Sequence, residues 1–210
     1  MPRRSAHGLR GRTALLHALA HIELNAIDLA FDLIARADHP EQIEAPLPRA
    51  FFDDWIQVGT DEARHFTMLA TRLEALDSSY GALDAHDGLW ESAHATRHDL
   101  RARLSVVPLV LEARGLDVTP ATVGKLTQAG DHDSAALLEV IYRDEITHVA
   151  AGMRWFTYLC DRHGERPEDA FPKLVRRYHK GTLKPPFNEK ARAEAGMSRD
   201  FFDSHASVSS

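Results

Sequence analysis

Six residues of this chain have the types and spacings that hold transition metals. Glu23 is followed at a distance by Glu62-x-x-His65, and Glu112 is followed by Glu145-x-x-His148. One glutamate from each of two helices, with a Glu-x-x-His from each of two others, is how helical bundles bind a pair of iron or manganese ions. A three-residue step places Glu and His on one helix face, where both can address the same ion. Carboxylate oxygens and imidazole nitrogens suit iron or manganese better than soft metals. The chemistry would then be that of two metal ions with dioxygen. The competing interpretation is a set of structural ion pairs. One Glu-x-x-His would favour it, but four carboxylates on apolar stripes cost too much to bury without cations. Their four negative charges equal the charge of two divalent ions.

The elements that must position these residues are set by apolar periodicity. Thr13 to Arg36 reads as a first helix, with Leu16, Ala20, Glu23, Ile27, Ala30 and Ile34 on one line. A proline-containing connection over 37–48 separates it from a second helix, Arg49 to Leu76, whose inner face carries Trp55, Val58, Glu62, His65, Leu69 and Leu73. The midpoint between Glu23 and Glu62 falls near residue 42, inside the connection. In an antiparallel hairpin the two ligands therefore sit at one height. The turn-rich stretch from Asp77 to Gly88 is long enough, extended, to cross the bundle. A third helix is predicted over Trp90 to Arg114, kinked at Pro108. Gly115 to Pro120 reads as an interruption, with Thr119 as an N-cap and Pro120 as the first residue of a short helix to Ala129. The fourth helix is predicted over Ser134 to Cys160. The tail reads as a helix over Pro167 to Lys180, a break at Pro185-Pro186, one or two short helices over Ala191 to Phe202, and disorder over 204–210. The fold expected is all-α: a four-helix bundle over 1–163 with one long crossover and an interrupted third helix, and a C-terminal extension over 164–210 packing on it.

A second layer of groups surrounds the six. Asp61 and Asp144 each stand four residues before a ligand histidine. With the two Glu-x-x-His helices facing each other, Asp144 is expected to accept from His65 and Asp61 from His148, which fixes the ring tautomers. The alternative is pairing with Arg64 or Arg143. Tyr142, one turn before Glu145, is a weak candidate for a redox-active or hydrogen-bonding phenol and more plainly a core tyrosine. His17, His21, Asp28 and Asp32 align on another face of the first helix, read as solvated or covered by the crossover rather than as a second site. His86, His94 and His98 read as surface histidines. Arg114 and Arg143 suit either an acidic substrate or a neighbouring carboxylate.

Composition narrows the function classes. The chain has 210 residues, a net charge of −6 and 44 % hydrophobic residues, enough for a sizeable core. The acidic balance argues against a broad nucleic-acid surface. The single cysteine, Cys160, excludes an internal disulfide framework and a Cys-x-x-Cys metal site. The greasy stretch from Ala14 to Ala35 carries His17, His21, Glu23, Asp28 and Asp32, too many polar groups for a membrane span. A cytoplasmic protein is expected.

The chain from Gly11 to Cys160 resembles the ferritin-like superfamily. The runs His21-Ile22-Glu23-Leu24-Asn25-Ala26-Ile27-Asp28, Ala85-His86-Asp87-Gly88-Leu89-Trp90, Leu111-Glu112-Ala113-Arg114-Gly115-Leu116-Asp117 and Arg143-Asp144-Glu145-Ile146-Thr147-His148-Val149 look like a bacterial group of ferritin-like proteins with a domain of unknown function. That group is distantly similar to the hydroxylase that oxidises an isopentenylated adenosine of tRNA. The resemblance implies Glu23, Glu62, His65, Glu112, Glu145 and His148 as ligands of two iron ions, with manganese or a mixed pair as variants. It implies no substrate, because one fold hosts many activities.

The activity expected first is a dioxygen-activating oxidase or oxygenase acting on a small organic substrate, with a possible electron-transfer partner. Iron oxidation and storage would need a cage, which the interrupted third helix and the tail disfavour; a monomer or dimer is expected. A tRNA-modifying hydroxylase would use the Arg176, Arg177, Lys180 and Lys184 cluster. Peroxide reduction of the rubrerythrin kind would need a partner to supply the cysteine-rich electron-transfer domain.

Overall fold

The computed structural model describes residues 4–37 and 46–203. Helix α1 (Leu9–Ala37) buries a stripe of Leu16, Ala20, Glu23, Ala30 and Leu33, and α2 (Arg49–Glu74) buries Phe51, Trp55, Val58, Glu62, His65, Leu69 and Leu73. Both stripes repeat at three and four residues, so each forms one face. The helices pair antiparallel. Leu33 and Ala37 share a cluster with Phe51 and Trp55, and Leu16 and Ala20 share another with Leu69 and Leu73. Gly59 permits the close approach, since a Cβ there would lie 2.9 Å from the Phe31 ring.

The second pair is the helical run over 100–128 against α6 (His132–Arg162). Helix α4 (Leu100–Val106) passes into a π-helical segment, Val107–Glu112, and on into α5 (Ala113–Gln128). Two ion-paired anchors fasten α6 to α2. Arg72 donates to Asp131 (2.7 Å) at one end, and Arg154 and the Trp155 indole donate to Asp54 (2.6 and 2.8 Å) at the other. The result is all-helical, with no strand among the described residues and no helix long and apolar enough to cross a membrane.

The third helical region departs from expectation in three ways. It is broken at 96–99, upstream of the expected site, between α3 (Gly88–Ala95) and α4. The Asp99 side chain caps α4 by accepting from the Arg101 and Ala102 amides. Pro108 is absorbed in the π segment, where the Ala113 amide reaches back five residues to the Pro108 carbonyl. Finally, 115–120 is not an interruption: α5 runs straight through it, and Thr119 does not start a helix. Pro120 leaves the Leu116 carbonyl without its helical donor. The Asn188 side-chain amide donates to that carbonyl instead, at 3.1 Å. A residue 72 positions away thus offsets what local sequence rules count as a helix break. The outer helices also start earlier than expected, at Leu9 and, with Asp131 as N-cap, at His132.

The crossover climbs α1 step by step. The Gly81 and Leu83 amides approach His17 Nε2, His21 bonds Tyr80 Oη and the His86 carbonyl, and Leu89, Trp90 and Ala93 pack on Leu29. Asp32 accepts from Arg103, and Arg36 donates to the Arg97 carbonyl. The climb uses α3 as well as the loop, so the traverse is longer than the predicted 77–88. His17, His21 and Asp32 are spent on this packing, while Asp28, His86, His94 and His98 are exposed. Buried Arg103 donates to Asp32 (2.6 Å), Thr96 Oγ1 (3.0 Å) and the Ala93 carbonyl (2.7 Å), tying α3, α4 and α1 together.

After α6 come α7 (Pro167–Tyr178), α8 (Glu189–Glu194) and a 3-10 turn, Arg199–Phe201. The stretch 179–188 straps back over α5. Arg192, 2 % exposed, donates to both Asp117 oxygens (2.9 and 2.7 Å) between the rings of Phe187 and Phe202. Most of the predicted 37–48 connection and the predicted disorder over 204–210 lie outside the described residues.

This packing has two testable outcomes. A Cβ at Gly152 would lie 2.7 Å from Pro108 Cβ, so Gly152→Ala should cost about 1–3 kcal/mol in urea unfolding. Burial pushes the Asp32 carboxyl up, but hydrogen bonds from Arg36 and Arg103 outweigh this and hold it below its ordinary value. Its contribution is therefore present above the unfolded carboxylate range and lost as pH falls through the folded value. Asp32→Asn should cost about 2 kcal/mol at neutral pH, and the gap to wild type should close below about pH 3.

Candidate metal centre

The core is two apolar halves with a polar layer between them. One half gathers Leu16, Leu69, Leu73, Leu126 and Leu138; the other gathers Leu33, Trp55, Leu109, Val149 and Phe156. Along their helices Glu23, Glu62, His65, Glu145 and His148 lie between the two, while Glu112 joins them from within the second, between Val110 and Ala113. Helical periodicity turns all six inward.

Glu23, Glu62, His65 and Glu145 each bring one ligand atom within 4.8 Å of the others, a group that could hold a metal ion. His65 Nδ1 is 3.3 Å from Glu23 Oε2 and 3.4 Å from Glu62 Oε2. His148 adjoins the group, with Nδ1 3.0 Å from Glu62 Oε1 and 3.8 Å from Glu145 Oε2. Glu112 reaches the same space from the end of the π segment, lining one cavity with Glu23, Glu62 and Glu145. Glu62 faces both imidazoles and so occupies the middle of the cluster.

The hydrogen-bond balance of this layer is the test of what belongs there. Glu23 Oε2, Glu62 Oε1, Glu112 Oε2, Glu145 Oε2 and both His148 nitrogens are buried without an aligned hydrogen-bond partner. Buried polar atoms are rarely left so. Cations held between these atoms would satisfy all of them except His148 Nε2, which faces Asp61 on the outer side.

The proton affinities of the layer reflect the same crowding of buried carboxyl groups. Burial, then the Glu62 charge, pushes Glu23 well above its ordinary value against the pull of His65. Burial and the charges of Glu62, Glu23 and Glu112 do the same to Glu145. Glu112 is pushed up to about 7 by burial and Glu62, opposed by His148. Burial lowers His65, but the ion pair with Glu23 and the hydrogen bonds to Glu62 and Asp144 prevail and raise it to about 10. Glu62 is the exception: burial raises it, yet the two imidazoles win and hold it well below its ordinary value. In the metal-free chain, protons on His65 and the outer glutamates do the neutralising.

Outside the six stand the two aspartates. His65 Nε2 lies 3.0 Å from Asp144 Oδ2, which also accepts from Arg64 at 2.7 Å. His148 Nε2 is 3.6 Å from Asp61 Oδ2, at ion-pair rather than hydrogen-bond distance. Asp61 accepts from Gln57 and Arg64 instead. Burial raises Asp144, but hydrogen bonds from His65 and Arg64 outweigh it, so Asp144 is ionised and only accepts. His65 therefore donates through Nε2, which turns Nδ1 toward the glutamates. Arg64 bridges both aspartates, a link that local spacing offers only as the alternative to the histidine contacts. Tyr142 Oη accepts from Asn188 Nδ2 at 2.9 Å, so the phenol anchors the strap. Arg143 donates to the Glu139 carbonyl of its own helix.

Sequence reasoning misses the space beside the cluster. A cavity of about 420 Å³ opens from Glu23, Glu62, Glu112 and Glu145, walled mainly by apolar side chains such as Leu89, Val110 and Ile141. The strap closes its outer side with Leu183, Lys184 and Phe187. No periodicity marks the strap; the pairing of Asp117 with Arg192, 75 residues apart, is invisible along the chain.

A family model described as "Protein of unknown function (DUF455)" matches residues 1–203, and the chain belongs to that family. It is 40 % identical over 203 residues to an "Uncharacterized protein" of Haemophilus influenzae, covering 97 % of this chain and 70 % of that protein. No solved structure matches the chain.

A carboxyl raised by burial destabilises the folded chain as pH rises from its unfolded value through its folded one. Metal-free protein should therefore lose thermal stability between about pH 5 and pH 7. Glu112→Gln should flatten that slope and raise the melting temperature of the metal-free chain, measured by calorimetry across that range.

Proposed function

We propose that the chain is a ferritin-like di-iron carboxylate protein, an oxidase or oxygenase acting on a small organic molecule. The observation that carries this reading is the set of buried oxygens and nitrogens of Glu23, Glu62, Glu112, Glu145 and His148 left without hydrogen bonds beside an apolar cavity. Glu23, Glu62, His65, Glu112, Glu145 and His148 would hold two ions, of iron or with manganese in one or both places. Two such ions, when bound, supply the redox chemistry by which dioxygen oxidises an organic substrate.

The chain's own residues do the rest. Asp144 and Arg64 hold the His65 ring so that Nδ1 faces inward, where it would give up its proton to hold an ion, and Asp61 stands ready to orient His148 in the same way. The apolar walls keep water from the cavity and press a substrate against the carboxylates. A ferritin-like bundle with one long crossover accounts for the antiparallel α1–α2 pair, the climb along α1 and the second pair built from α4, α5 and α6. Burial pushes the Cys160 thiol up to about 12, so no cysteine serves as an electron carrier here and electrons would come from a partner. Iron storage has less support, because the built cavity has no use in a store. A monomer or dimer in the cytoplasm fits the oxidase reading. The tRNA hydroxylase reading rests on Arg176, Arg177, Lys180 and Lys184, all exposed, with Lys184 at the cavity.

Metal-free protein loaded with ferrous iron under anaerobic conditions should bind two ions per chain and then consume dioxygen when it is admitted. Glu62→Ala should bind fewer than one ion per chain, and Asp144→Ala should weaken metal affinity by about 10- to 100-fold. Wild-type protein that binds no iron would overturn the proposal. Association of the loaded protein into a large cage, by size-exclusion chromatography, would turn it toward storage.

A further inference from the structure

The cavity has carboxyl groups at its deep end, apolar walls, and basic groups where it opens. Its deep end is the glutamate layer. Its walls are Leu89, Val107, Val110, Leu138 and Ile141, among others. At its outer end, Ile22 and Val118 are each 39 % exposed, an apolar lip. Four basic groups line that region: Arg114, Lys184, Arg192 and His179. Arg192 is paired with Asp117. Burial holds His179 below its ordinary value, so it is neutral at physiological pH. Arg114 shares the Asp117 carboxylate with Arg192, at 3.4 Å, so the two arginines together keep one net positive charge. Arg114 also donates to the Lys184 and Pro186 carbonyls and so fixes the strap at the mouth, where Lys184 is exposed.

We infer that this cavity takes an elongated apolar molecule ending in a single anionic group. The anion sits at Lys184 and Arg114, and the apolar end reaches the glutamate layer. The inference rests on the two-ion reading for what the inner end meets. The net positive charge at the mouth holds an anion and repels a cation, and carrying a charged group inward past the apolar walls is costly, so one orientation remains. A volume of about 420 Å³ lies within the usual range for small-molecule sites and has room for a ten-carbon chain with its headgroup.

Gly115 provides a clean way to close the site. It lines the cavity within α5, and a Cβ built there meets nothing within 4 Å. A leucine at this position projects into open cavity and favours the helix over glycine. It touches none of the six candidate ligands' own positions.

The test is equilibrium binding to the full chain, metal-free and loaded with redox-inert zinc, of decanoate, decyl phosphate, decanol and decyltrimethylammonium, with zinc counted in each sample. One decanoate or decyl phosphate per chain should bind at least about tenfold more tightly than decanol, and the cation more weakly than decanol. Whichever anion binds better identifies the headgroup. Lys184→Glu should erase the preference for the anion while leaving decanol affinity unchanged. Gly115→Leu should abolish binding of all four probes with the zinc count unchanged. Equal affinity for decanol and the anions, a preference that survives Lys184→Glu, or undiminished binding to Gly115→Leu overturns the inference. Failure of the metal reading looks different: the zinc count stays below one per chain whatever the four probes do.

Discussion

Burying four carboxylates and two imidazoles at mid-height in an otherwise apolar core is the constraint on which this structure depends. Charged groups there must be neutralised by protons or by metal ions, or the core cannot close around them. Every helix in the core carries part of that burden. Glu62, faced by both imidazoles, stays ionised, while the glutamates around it are driven toward the protonated form. Without metal the layer is a stack of compromises that costs stability. With divalent ions the same residues become mutually satisfying. A protein that maximised stability alone would place leucines there.

The fold answers this constraint by fixing everything around the layer. Two apolar clusters clamp it from above and below. Arg72 and Asp131 at one end of α2, and Asp54 with Arg154 and Trp155 at the other, set the register of α2 against α6, and so the height of His65 relative to His148. Arg64 joins the two aspartates across the same interface. The π segment ends at Glu112, and a π turn rotates the downstream residues about the helix axis. Glu112 and Gly115, three residues apart and so on one helix face, line one cavity. The strap completes that cavity's outer wall, and a buried arginine holds it in place.

How much of this was legible in the sequence depends on the range of the interaction. The six candidate ligands, the heights at which they pair and the inward stripes of α1, α2 and α6 are consequences of periodicity within single helices, which the chain displays openly. The alignment of His17, His21, Asp28 and Asp32 on one face of α1 was legible for the same reason, but not whether that face was solvated or covered: the crossover region covers His17, His21 and Asp32 and leaves Asp28 exposed. Local rules failed where a distant residue intervened. Gly115 to Pro120 reads as a break, and would be one in isolation. Asn188 supplies the missing donor to Leu116, so α5 continues. The predicted third helix breaks at 96–99, where Asp99 caps α4 and Arg103 ties it to Asp32, Thr96 and Ala93.

The sequence by itself determined that the chain is helical and that its carboxylates and histidines converge. Helical geometry is local, and a three-residue step points two side chains the same way in any context. Only the tertiary structure decided that a cavity lies beside them, and which residues close it. A cavity is the space left by elements far apart in the chain, here α1, the crossover, α5, α6 and the strap. Its shape depends on how they pack together, and no single stretch of sequence carries it.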